Sequence, residues 1–175
     1  MTNTRIQKKK IKPALLIIDV QNSYLSFVPQ KDKELAFFFI NLLIKLFRKN
    51  YAPIIRIYHT DNENGPKPDT EEFEYPELIE INPEDTRIVK TYSDSFNKTD
   101  LDGILKEKGI NTLFLCGLSA VGCILATRVG AQNHDYKAFI VRDAVMSHNS
   151  AFTKNVEAMF DAISYDAVEL ILESY

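Results

Sequence analysis

Ala14-Leu-Leu-Ile-Ile18 is an unbroken apolar run that stops at an acid, Asp19. Five apolar residues without polar alternation are the pattern of a strand covered on both faces, as in the parallel sheets of α/β domains. The rest of the chain must then supply two covering layers. From Lys33 to Asn50, apolar residues at 35, 38, 39, 42, 43, 46 and 47 recur at spacings of three and four, which predicts an amphipathic helix. Pro53 opens a second strand, Ile54-Ile-Arg-Ile-Tyr58. The alternation continues with a brief strand at Arg87-Ile-Val89, a helix from Leu101 to Lys108 stopped by Gly109, a buried strand from Thr112 to Leu115, and a helix from near Val121 to about His134. A strand at Ala138 to Val141, a helix at Ser150 to Phe160, a strand at Ala162 to Ser164, and a last helix over Val168 to Leu172 capped by Asp166 complete the pattern. Six strands alternating with helices predict an α/β sandwich with a mainly parallel sheet and right-handed crossovers.

At 175 residues the chain is the size of one domain, expected from Pro13 to Tyr175 behind a flexible, solvated tail at residues 1–12. Lysine plus arginine (21) nearly balances aspartate plus glutamate (24), so no charge excess favours nucleic acid or an anionic membrane. Lys8, Lys9, Lys10 and Lys12 are followed by only five apolar residues before Asp19, too few for a secretory leader. Leu35 to Phe47 is interrupted by Asn41 and Lys45 and falls short of a membrane span. The two cysteines, Cys116 and Cys123, are no disulfide framework and read as reduced thiols; with no targeting segment read in the sequence, the expected location is the cytoplasm. Thr60 to Glu84, rich in proline, glycine, asparagine and acids, reads as a long functional loop, a lid or part of a pocket wall.

In an open parallel sheet ligands bind beyond the carboxyl ends of the strands, so the residues just after each strand matter most. Asp19 follows the first strand, Lys90 follows Arg87 to Val89, and Cys123 starts the helix after Thr112 to Leu115. Taken singly they read as a helix cap, a solvated lysine and core filler. Together they form a nucleophile with its helpers. A thiol at a helix N-terminus beside a cation is expected to have its pKa lowered. The preceding Gly117-Leu-Ser-Ala-Val-Gly122 is small and glycine-bounded, which suits backbone N–H groups approaching an oxyanion. Cys116, inside the strand, reads as core.

Four segments in register, Asp19-Val-Gln-Asn22, Lys90-Thr-Tyr-Ser-Asp-Ser-Phe96, Gly117-Leu-Ser-Ala-Val-Gly-Cys123-Ile and Arg142-Asp-Ala-Val-Met-Ser147, resemble the isochorismatase-like cysteine hydrolases. The resemblance runs from Pro13 nearly to the C-terminus. It implies a Rossmann-like three-layer sandwich, a homodimer or homotetramer, and an Asp-Lys-Cys triad at Asp19, Lys90 and Cys123. It also implies a cis peptide between Leu118 and Ser119, with the backbone N–H groups of Ser119 and Cys123 as oxyanion hole. Members hydrolyse amide or ureide C–N bonds, whereas the isochorismatases that cleave a vinyl ether typically lack the cysteine. Cys123 therefore favours the amide route.

Two departures matter. Ala120 and Val121 stand where the family often has threonine and an acid that brace the nucleophile loop. The metal-binding nicotinamidase branch uses an Asp-x-His pair after the second strand; here the pair's position reads Ile57-Tyr-His59, and His134 and His148 lie far along the chain. No metal and no other cofactor is expected; the lack of a Gly-x-Gly-x-x-Gly after the first strand argues against dinucleotides. Gln21, Tyr24, His59, Tyr92 and Phe96, with Phe27 and the 60–84 loop, are the expected pocket wall around a small-molecule substrate. The alternatives are an isochorismatase-type vinyl-ether hydrolase, or a binding or regulatory protein that kept the fold and lost turnover. A receiver-like signalling domain fails on order, because it needs paired acids after the first strand and an aspartate where Lys90 stands.

Overall fold

The computed structural model describes residues 10–61, 63 and 65–173. Five strands, β1 (Pro13–Ile18), β2 (Ile54–His59), β3 (Thr86–Lys90), β4 (Thr112–Leu118) and β5 (Lys137–Met146), form one sheet in the order β3-β2-β1-β4-β5, with every pairing parallel. The helices are α1 (Asn22–Leu25), α2 (Gln30–Lys49), α3 (Leu101–Glu107), α4 (Leu125–Asn133), α5 (Ser150–Met159) and α6 (Tyr165–Glu173), with a wide turn at Ala120–Ile124 leading into α4. All of β1 is buried, as its unbroken apolar run requires. Leu15 and Ile17 face one core with α2 and α6, while Ala14, Leu16 and Ile18 face a second with α3, α4 and α5. The sheet is thus the middle of three layers.

The expected sixth strand is not formed. Asp161 turns at a positive φ and α6 begins at Tyr165, so Ala162 to Ser164 has room only for a single bridge, Ile163 to Val141. Val141 lies in the stretch of β5 that has no partner on β4, where the register shifts between Leu115 and Gly117. Asp166 does not cap α6 but lies in its first turn; the Ser164 hydroxyl accepts from the Ala167 amide instead. The buried stripe of α2 runs through Ala36, Ile40, Leu43, Ile44 and Phe47, which turns Leu35 and Phe38 outward.

Residues 1–9 of the expected tail lie outside the described residues. Lys10 and Lys12 are tied to the domain, because the Asn111 side chain donates to the Lys10 carbonyl (2.9 Å) and accepts from the Lys12 amide (3.0 Å). The 60–84 loop is largely pinned to the sheet rather than poised over it. Phe73 stacks on Tyr58, and the Tyr75 hydroxyl donates to the Ile17 and Ile57 carbonyls at 2.7 and 2.8 Å. Among the described residues no helix is long and apolar enough to cross a membrane.

Candidate active site

The strand order reverses between β1 and β4, since the chain winds outward through β2 and β3 on one side and β5 on the other. Such a switch point leaves a crevice at the carboxyl ends of its two strands. Asp19 leaves β1 there with a left-handed backbone (φ 52°), a conformation that aspartate tolerates better than most residues. Gly117 (φ 113°) runs so close to β1 that a Cβ would collide with the Ile18 backbone oxygen. The Leu118–Ser119 peptide is cis, and Gly122 breaks the following turn with φ −126° and ψ −105°; Cys123 lies in that turn, two residues before α4.

Lys90, the last residue of β3, reaches across under the crevice and is 1% exposed. Its ammonium donates to Asp19 Oδ2 at 2.7 Å and to Cys123 Sγ at 3.3 Å, and lies 3.3 Å from His59 Nδ1. Three ammonium hydrogens therefore meet three acceptors. The Nδ1 contact requires that nitrogen to accept, which selects the neutral imidazole carrying its proton on Nε2. Burial first, and then the Lys90 charge, lower the His59 pKa in agreement.

Asp19 is buried, and desolvation raises its pKa although Lys90 opposes the rise. Its Oδ1 has no N–H or O–H partner among the described residues. The Cys123 thiol supplies a hydrogen bond to the carboxylate. Burial, followed by the Asp19 charge, pushes that thiol up to about 11, opposite to the lowered value expected from the sequence. Desolvation and the carboxylate outweigh the cation. The resting site thus holds a neutral thiol beside a buried carboxylate of raised basicity.

Above these groups opens a cavity of about 600 Å³ whose wall includes Asp19, His59, Ser119 and Cys123. This volume suits a small molecule. Tyr24 and Phe27 line it as expected, joined by Val28, Leu118, Asp61, Ser93 and His148. Three expected wall residues lie elsewhere. Gln21 is buried beneath, its amide clamping both backbone groups of His59 at 2.7 and 3.0 Å. The Phe96 ring stacks on His134 and Tyr136 within the second core. Tyr92 carries its ring outward against Lys98, and only its backbone reaches the site, bonding His59. Ala120 and Val121 are likewise absent from the wall.

His148 was accessible to the same rule that found Asp19 and Lys90, because it follows a strand end. The sequence pattern ends this strand at Val141, whereas β5 runs on through the polar Arg142-Asp143 pair to Met146. Asp61 follows β2 in the same way.

A model of the isochorismatase domain matches residues 13–167. The chain is 35% identical over 140 residues to the uncharacterized isochorismatase family protein YddQ of Bacillus subtilis, across 75% of this chain and 76% of that one. Maleamate amidohydrolase of Pseudomonas putida shares 36% identity over 61 residues, 35% of this chain and 29% of that protein. Among solved structures, a cysteine hydrolase from Pseudomonas syringae superposes with a TM-score of 0.83 at 18% identity, over 95% of each chain, a likeness of fold. With its parallel sheet and a domain match over nearly its whole length, the chain belongs to the isochorismatase family of hydrolases.

Proposed function

We propose that the protein hydrolyses a small amide- or ureide-like C–N bond through an acyl-enzyme on Cys123. The observation that carries this reading is the meeting of Asp19, Cys123 and His59 around the Lys90 ammonium on the floor of the cavity. The amidohydrolase name of the Pseudomonas putida relative supports the bond class.

In this mechanism Asp19 takes the thiol proton as sulfur bonds to the substrate carbonyl carbon, and the N–H groups of Ser119 and Cys123 receive the oxyanion. As the tetrahedral adduct collapses, Asp19 returns the proton to the leaving nitrogen and the C–N bond breaks. Water then attacks the thioester, Asp19 accepts its proton, and the acid leaves as the thiol is reprotonated. Lys90 keeps Asp19 ionised against its desolvation and offsets charge developing on sulfur.

The reading is metal-independent. Asp19, His59 and Cys123 offer ligand atoms within 4.8 Å of one another, but each already faces the Lys90 ammonium, which stands as the cation of that cluster. Assembly as a homodimer or homotetramer is part of the same proposal, as the family resemblance implies, and a cytoplasmic location is supported by the two unpaired thiols.

The deciding experiment is a screen of small amides and ureides against the wild type and Cys123→Ala. Turnover that disappears with the thiol supports the proposal. Comparable turnover in both proteins points to a Cys-independent route of the vinyl-ether kind, and no turnover alongside tight ligand binding points to a retired scaffold.

A further inference from the structure

The cavity wall contains two carboxylates, Asp19 and Asp61, and two imidazoles, His59 and His148, but among the described residues no lysine or arginine. The ammonium beneath, on Lys90, is buried and already donates to Asp19 and Cys123, so it offers nothing to a substrate group farther out. His59 is neutral by the tautomer that Lys90 imposes. The remaining polar groups are uncharged: the Ser93 and Ser119 side chains and the Tyr24 phenol. The Ser119 hydroxyl is buried with no partner among the described residues, a ready contact for a neutral polar group. The Asp19 and Asp61 carboxylates add to the burial that raises the Tyr24 pKa.

Resting on the amide-hydrolase reading, we infer that this cavity selects uncharged and cationic amides over amides that carry a carboxylate. A carboxylate entering it gives up its water without meeting a cation beyond the Lys90 ammonium, which is already paired with Asp19, and approaches the like charge of Asp61. An ammonium meets carboxylates, and an alkyl or aryl body meets Tyr24, Phe27, Val28 and Leu118. Asp61 is the specificity residue for the cationic class. Its Oδ1 accepts from the Glu63 and Gly65 amides at 2.9 and 2.7 Å, which holds it at the end of β2.

Three amides of matched length separate the cases: hexanamide, its ω-amino analogue and the monoamide of adipic acid. Their affinities are measured by calorimetry on Cys123→Ala, and their kcat/KM on the wild type, at pH 8, above the ordinary histidine range of about 6.5. The neutral and cationic amides are expected to bind at least about ten-fold more tightly than the anionic one, a gap of about 1.4 kcal/mol. Asp61→Asn keeps an oxygen acceptor for the two loop amides and removes the charge, so it should narrow the gap between cation and anion several-fold. Equal or tighter binding of the adipic monoamide overturns the inference, as does failure of all three to bind. Charge-ordered binding without turnover of any amide by the wild type keeps the inference and overturns the hydrolase reading, so the two failures are distinguishable.

Discussion

Cys116 and Cys123 are seven residues apart in one strand-to-helix segment, yet they occupy opposite chemical worlds. Cys116 sits inside β4, paired with Ile17 of β1 at the point where β5 bulges away; it is fully buried, its sulfur donates to the Leu16 carbonyl at 3.5 Å, and desolvation alone drives its pKa far up. Cys123 lies beyond the strand end and the Gly122 break, partly exposed to the cavity and in reach of Asp19 and Lys90. Both thiols are neutral at rest. Position relative to the strand end, rather than a lowered pKa, is what makes one of them a nucleophile: Cys123 has a base beside it and Cys116 has none.

Substitution tests this contrast at its largest. Cys123→Ala should lower kcat by at least about a thousand-fold with little effect on folding, whereas Cys116→Ala should leave turnover within about two-fold and cost about 1 kcal/mol of stability for the lost buried sulfur. Asp19→Asn should match Cys123→Ala, and the double variant should be little worse than either, because base and nucleophile act as a unit. Steady-state kinetics and urea unfolding check both arms.

Lys90→Met is the next largest effect. It leaves the Asp19 carboxylate buried without its cation, which should cost about 3–5 kcal/mol in urea unfolding at neutral pH, while Lys90→Met with Asp19→Asn should recover much of it. A loss below about 1 kcal/mol for the single variant would show that the pair is well solvated.

The pH profile sharpens the comparison further. Asp19 must be ionised to take the thiol proton and its pKa is raised above the ordinary 3.8, so kcat/KM should fall with decreasing pH through a value above that one. On the alkaline side activity should persist until the thiol ionises near 11. A folded thiol pKa raised from 9.0 to about 11 also contributes stability that is complete below pH 9 and lost as pH rises through 11; Cys123→Ala should flatten that decline in thermal melts. The smallest effect is in labelling. Iodoacetamide at pH 7 should modify Cys123 before Cys116 through access, and equal or reversed labelling would contradict the placement of the two thiols.

The same two cysteines show what a sequence carries. Strand ends are legible where an apolar run meets a charge, as at Ile18-Asp19 and Val89-Lys90, and these two ends supply the carboxylate and the ammonium of the site. They are illegible where a strand passes through polar residues, as β5 does at Arg142-Asp143, which hid His148 from view. Ala162 to Ser164 fits a strand pattern, but the turn at Asp161 and the start of α6 at Tyr165 limit it to one bridge. Phe96, Tyr92 and Gln21 lie near the site in sequence, but the direction of a side chain after a strand end depends on loop turns that no periodicity encodes. The direction of the Cys123 pKa shift is illegible for a related reason: a sequence shows which charges are neighbours but not how much water they lose.

Intact-mass spectrometry of the enzyme quenched during turnover of a slowly hydrolysed amide from the screen addresses the covalent claim directly. The account predicts a mass increase equal to the substrate's acyl group, mapped by digestion to the peptide containing Cys123 and absent from Cys123→Ala. Steady turnover with no adduct on the wild type, at a rate that Cys123→Ala retains, would contradict it.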